Sequence, residues 1–128
     1  MDLKTLCKSY DLDAVSEFWE TSEVRLHEIY NGAGPDWLPA WGRKILTTFL
    51  RIFKASFVVH DFDFDISDKS MLKFHEANDR MFSNMKKILD KEYPFSKIYM
   101  WPVRARWWLR MNGAYKAVEK FGLSAWKD

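Results

Sequence analysis

Three groups of residues in this chain have side chains suited to acid–base and metal chemistry. Tyr30, Gly32 and Gly34 form a Tyr-x-Gly-x-Gly run, His60 and Asp61 are adjacent, and Asp79 follows further on. An imidazole with its ordinary pKa near 6.5 takes a proton from water at neutral pH when its other ring nitrogen donates to a partner. For His60 the natural partner is Asp79. A hard cation such as Ca²⁺ takes about six to eight oxygen ligands, and glycines let a loop turn its carbonyls toward one point. On a helix, adjacent side chains diverge by about 100°, so His60 and Asp61 can serve separate tasks, one activating water and one binding metal. A lone histidine on an apolar helix face is ordinarily a packed, hydrogen-bonded core residue. The neighbouring Asp61 shifts that balance, because an unpaired carboxylate beside Phe57 and Phe64 is costly unless a cation relieves it.

The elements that must position these groups follow from periodicity and punctuation. Apolar residues recur at helical spacing from Asp13 to Tyr30, with Asp13 as N-cap and a possible break near Thr21 and Ser22. The two glycines and Pro35 after Tyr30 then mark a loop. Leu46, Phe49, Leu50, Phe53, Phe57, His60 and Phe64 share one sector of a helical wheel, which predicts a long helix from Trp41 to about Phe64. A strand competes over Ser56 to Asp65, where Val58 and Val59 are β-branched and the aspartates alternate with phenylalanines. A further helix is predicted from Met71 to Lys91, with Phe74, Asn78, Met81, Phe82, Met85, Ile88 and Leu89 in its stripe, and another from Arg106 to Phe121, stopped by Gly122. The expectation is one all-α domain of about four helices.

Asp61, Asp63 and Asp65 also open a D-x-D-x-D pattern like that of an EF-hand. The position that should be Gly is Ile66 and the one that should be Glu is Leu72, so the pattern fails. Asp63 and Asp65 then read as residues of a solvated turn.

Taken in order, Y-x-G-x-G, His-Asp and the later Asp79 resemble the phospholipase A2 superfamily, in particular its small viral and bacterial branches without the full disulfide set. The resemblance covers about residues 30–85. It implies two central antiparallel helices carrying His60-Asp61 and Asp79, preceded by a glycine-rich loop. It further implies Ca²⁺ held by Asp61 and by the carbonyls of Tyr30, Gly32 and Gly34, with His60 as general base, oriented by Asp79, activating water against the sn-2 ester of a glycerophospholipid. Such an enzyme meets a phospholipid membrane surface, and Trp37, Leu38 and Trp41, just beyond the glycine run, are placed to touch it. The chain departs from the family where Ser56, Phe57 and Asp63 replace cysteines and where Phe64 replaces a tyrosine. It also departs in an apparent insertion over Trp37 to Lys44. Asp79 itself lies off the centre of its helix's apolar stripe.

Composition bounds the rest. The chain has 128 residues, 48% of them hydrophobic, enough for one core and too few for a two-domain enzyme. Its net charge of +2 is small and intermixed, so no nucleic acid is expected as a partner on charge alone. A single cysteine, Cys7, allows no internal disulfide. With no signal-peptide pattern and no apolar run long enough for a membrane span, a cytoplasmic or virion-associated protein of phage or bacterial origin is expected. Aromatic residues are abundant at 17%, with seven Trp, more than a small core needs. The segment 95–128 is basic and aromatic together, and Arg104, Arg106, Trp107, Trp108 and Arg110 are expected to face anionic headgroups. Two alternatives remain: a catalytically silent binding or virion-associated protein on the same scaffold, and a helical protein that stacks single-stranded nucleic acid on its C-terminal Trp and Arg residues.

Overall fold

The computed structural model of the protein describes residues 2–30, 40–66 and 70–121, with backbone alone for 40–50, 117 and 121. Gly32, Gly34, Trp37, Leu38 and the side chain of Trp41 lie outside the described residues. The described chain is all-helical, with no strand. Helices α1 (Leu3–Ser9), α2 (Ser16–Glu20) and α3 (Glu23–Ile29) are short. Helices α4 (Ala40–Asp65), α5 (Met71–Glu92) and α6 (Trp101–Phe121) are long, and a 3₁₀ turn, Ile98–Met100, leads into α6.

Local chemistry explains the ends. The Asp2 carboxylate caps α1 by accepting from Thr5 N–H, and Ser22 and Ser70 cap α3 and α5 by accepting from the N–H groups of Arg25 and Lys73. After α1, Asp11 takes a left-handed conformation (φ 54°) that reverses the chain. The helix expected after Asp13 is broken at Thr21 and Ser22, where a break was expected, into α2 and α3, but Asp13 caps neither. Its carboxylate accepts from Arg80, and its backbone N–H and C=O are both taken by the Asn84 amide at 2.9 and 2.8 Å. A tertiary clamp has displaced the local cap.

Helix α4 is the axis of the fold, packing against α1, α3 and α5, while α6 packs on α5. One apolar sector was predicted for it, yet Phe53, Ala55, Ser56, Val58, Val59, His60, Phe62 and Asp63 are all buried, because neighbours cover α4 on several sides. The strand reading of residues 56–65 therefore fails: β-branched and aromatic residues also suit a helix buried nearly all round. Phe53 breaks the helical dihedrals (φ −101°, ψ 20°). At the break the Ser56 hydroxyl donates to the Phe53 carbonyl at 2.7 Å, and the Cys7 thiol donates to the Ala55 carbonyl at 3.6 Å. The core closes with Phe18 edge-on to Phe62 and with Met81, Met85, Ile88 and Leu89 of α5 against α4. A smaller cluster, Phe74 and Ala77 with Phe64, seals the far end.

Candidate functional site

The last turns of α4 present a different polar residue to each neighbour, as helical phase requires. His60 and Asp63 turn toward α5, whereas Asp61 and Asp65, four residues apart, turn toward α3. Asp65 is exposed and takes both of its bonds from Arg25, at 3.3 and 3.1 Å. Asp63 was expected on a solvated turn. It is instead buried, with Nη1 of Arg80 donating to both of its carboxylate oxygens at 2.9 Å, while Nε of the same guanidinium donates to Asp13. Burial raises the Asp63 pKa, and Arg80 opposes the rise.

His60 is 6% exposed, with its ring 4.5 Å from that of Phe64. Its Nε2 lies 2.9 Å from Oδ1 of Asn78. With Nε2 donating to that oxygen, the lone pair sits on Nδ1. Burial drives the His60 pKa down to about 4, against the pull of the Asn78 bond, so the ring is neutral at pH 7. The expected partner, Asp79, does not reach it. Asp79 lies one residue further along α5, about 100° around the helix. It is exposed and accepts from the Tyr115 hydroxyl of α6 at 2.6 Å, a bond that raises the phenol's pKa. Sequence reasoning thus missed Asn78 as a site residue, although the signal was present: a polar residue inside the apolar stripe of α5. Asn78 Nδ2 is buried without a hydrogen-bond partner, unlike Asn84, whose amide is satisfied on both sides.

Asp61 is half-buried, and its carboxyl is pushed up to about 7 by desolvation. Among the described residues no cation pairs with it. Its charge adds to burial in raising the Tyr30 phenol, whose ring packs on the core and lies 6.0 Å from Lys54 Nζ. Tyr30, the first residue of the glycine run, and Asp61 are thereby brought to one place from α3 and α4. A partly desolvated oxygen donor with no counter-charge among the described residues suits a divalent cation. Among the described residues no group of three or more His, Cys, Asp or Glu side chains could hold a metal, so a cation at Asp61 would depend on backbone oxygens.

Two open grooves, about 600 and 530 Å³, lie along α5 and α6, and neither is lined by His60 or Asp61. The basic aromatic segment divides. Arg104 and Trp107 are buried, with Arg104 stacked 3.7 Å from the Phe95 ring and bonded to Tyr93 O at 2.8 Å and Asp90 at 2.5 Å. Those two residues are structural, contrary to the expected headgroup role, while Trp108 stays 38% exposed. Among the described residues no helix is long and apolar enough to cross a membrane. Comparison of the chain with protein-family models, curated proteins and solved structures finds no match.

Proposed function

We propose that the chain is a calcium-dependent, phospholipase A2-like hydrolase of the sn-2 ester of glycerophospholipids, with Asn78 taking the orienting role first expected of Asp79. The observation that supports this reading is the Asp61 carboxylate: partly desolvated, paired with no cation among the described residues, beside Tyr30 and next in sequence to a neutral, hydrogen-bonded imidazole. Tyr30, Gly32 and Gly34 would lend carbonyls and Asp61 its carboxylate to Ca²⁺. Bound there, the ion supplies positive charge to the ester carbonyl oxygen. Asn78 fixes the His60 ring through Nε2, leaving Nδ1 as the nitrogen that takes a proton from water. The Phe64 ring, 4.5 Å from the imidazole, covers part of it.

A second reading, a silent scaffold that binds without turnover, is favoured by two observations. The His60 ring is nearly sealed, and an amide stabilises an imidazolium less than a carboxylate does. Fatty-acid release from phospholipid vesicles separates the two. The hydrolase requires release that disappears with chelator, with His60→Gln and with Asp61→Asn, whereas no release from zwitterionic or anionic vesicles establishes the scaffold. Asn78→Asp sharpens the test: a carboxylate at this position should lift the His60 pKa above about 4, as read by NMR titration, and raise turnover by roughly tenfold. A raised pKa with turnover still absent excludes the hydrolase. Ca²⁺ must also displace the Asp61 proton, so its affinity should rise with pH up to about 7 and level off above. Calorimetry showing a flat affinity from pH 5 to 8 would remove Asp61 from the site.

A further inference from the structure

Helix α6 is apolar on two sides. Trp107 and Met111 face the core, with Val103, Ala114 and Val118 packed beside them. A second stripe, Trp101, Ala105, Trp108 and Leu109, follows the i, i+4, i+7, i+8 spacing and faces outward. Trp101 is 47% and Leu109 71% exposed, and Ile98 and Tyr99 of the 3₁₀ turn continue the surface at 68% and 74%. Scattered surface apolar residues need no explanation, but a contiguous stripe of them does. The stripe borders the 600 Å³ groove between α5 and α6, which Phe95 and Lys86 complete.

Charge identifies the occupant. From Tyr93 to Val118 the sequence has no Asp or Glu but carries Lys97, Arg104, Arg106, Arg110 and Lys116. Arg104 is spent on Asp90 and Tyr93. Arg110 is stacked 4.6 Å from the inward Trp107 ring, away from the stripe; among the described residues the exposed Lys97 and Arg106 and, across the groove, Lys86 make no ion pair. Lys86 Nζ instead sits 5.7 Å from the Trp108 ring. A partner must therefore offer anions beside hydrocarbon. Phosphates alone would leave Ile98 and Leu109 in water, since aliphatic side chains give a nucleobase no ring to stack on. Bilayer lipids with anionic headgroups match both demands, and Trp and Tyr side chains suit the interfacial zone.

We propose that the outward stripe of α6 with the Ile98–Met100 turn is a docking face for a bilayer rich in anionic phospholipid. This goes beyond the hydrolase reading and does not need it. The test is flotation of the full chain with phosphatidylglycerol–phosphatidylcholine vesicles or with pure phosphatidylcholine vesicles, chelator being present throughout so that no turnover contributes. Partition should favour the anionic vesicles, weaken with salt, and fall about tenfold or more in Trp101→Ser/Leu109→Ser. The charge variant Lys97→Glu/Arg106→Glu should lose binding to a similar extent. Equal partition of the wild type and both variants overturns the proposal. So does tight binding of an oligothymidine that both variants abolish while vesicles stay unbound, or a dimer in sedimentation equilibrium that Trp101→Ser/Leu109→Ser dissolves without vesicle binding. Loss of fatty-acid release with vesicle binding intact would leave the docking face standing, and the reverse would leave the hydrolase standing.

Discussion

The interface between α4 and α5 and the outer face of α6 invert the usual partition of side chains in opposite ways. The first buries His60, Asp63, Asn78 and Asn84 among aromatic and aliphatic residues, and the second leaves Trp101, Trp108 and Leu109 in solvent. Among the described residues two buried side-chain polar atoms lack a hydrogen-bond partner, the Asn78 amide nitrogen in this interface and Glu119 Oε1 on α6. On the surface Trp101 and Trp108 lean on Phe95 and Phe82, yet a large part of both rings and most of Leu109 stay exposed. The lesson is that polar residues inside this protein mainly hold helices in register, and the two unresolved accounts, the Asn78–His60–Asp61 end of α4 and the α6 stripe, are where external chemistry is to be sought.

The contrast breaks most severely at Arg80. Arg80→Met would leave Asp63 buried without its cation, which should cost about 3 to 5 kcal/mol in urea unfolding. Replacing Asp63 by Leu in the same chain should recover most of that loss. A cost below about 1 kcal/mol would mean that Asp63 is solvated and the polar interior is not as described.

Next in size is a pH effect, in which two neighbours oppose each other. The Asp61 carboxyl is raised in the folded state to about 7, so the stability it lends is complete below the unfolded value near 4 and is lost as pH rises through about 7. The His60 pKa is lowered to about 4, so its contribution is complete above about 6.5 and is lost as pH falls through about 4. Between these limits the slopes nearly cancel. Asp61→Asn should therefore gain up to roughly 4 kcal/mol at pH 8 and little at pH 4, turning a flat profile into one that rises with pH. His60→Gln should leave a profile that falls. Parallel profiles for all three proteins, measured by thermal unfolding, would show that neither group is desolvated.

The smallest expected effect sharpens the surface half. Trp101→Ser/Leu109→Ser should cost only about 1 to 2 kcal/mol, from the Trp101 bond to the Phe95 carbonyl and the helix propensity of Leu109, whereas the neighbouring, inward Trp107→Ala should cost about 3 to 5 kcal/mol. If the outward pair proved equally costly, the α6 stripe would be core and no docking face would exist.

Much of the architecture was legible beforehand because it rests on periodicity. The stripe from Phe74 to Leu89 placed α5 to within a residue of its observed end, and the wheel through Phe53, His60 and Phe64 placed the end of α4. The site was legible only in part. His60 belonged to an apolar sector and is buried as that sector requires, but its partner was assigned by chemical type, and a carboxylate was preferred over the amide one residue earlier. Asp63 was misread because alternation of Asp and Phe looks like a solvated edge until an arginine 17 positions away is folded against it.

What the amino-acid order determined by itself is the helical class, the limits of α4 and α5 and the apolar stripe of α5, since these depend on neighbours within a few positions; α1 and the start of α6, at Trp101 and not Arg106, were missed. Tertiary structure alone decided that Asn78 rather than Asp79 meets His60, that Asp13 clamps rather than caps, and that Trp107 is buried while Trp108 stays partly exposed. One residue along a helix turns a side chain by about 100°, and only the packing of a second helix says which of two adjacent residues then faces inward.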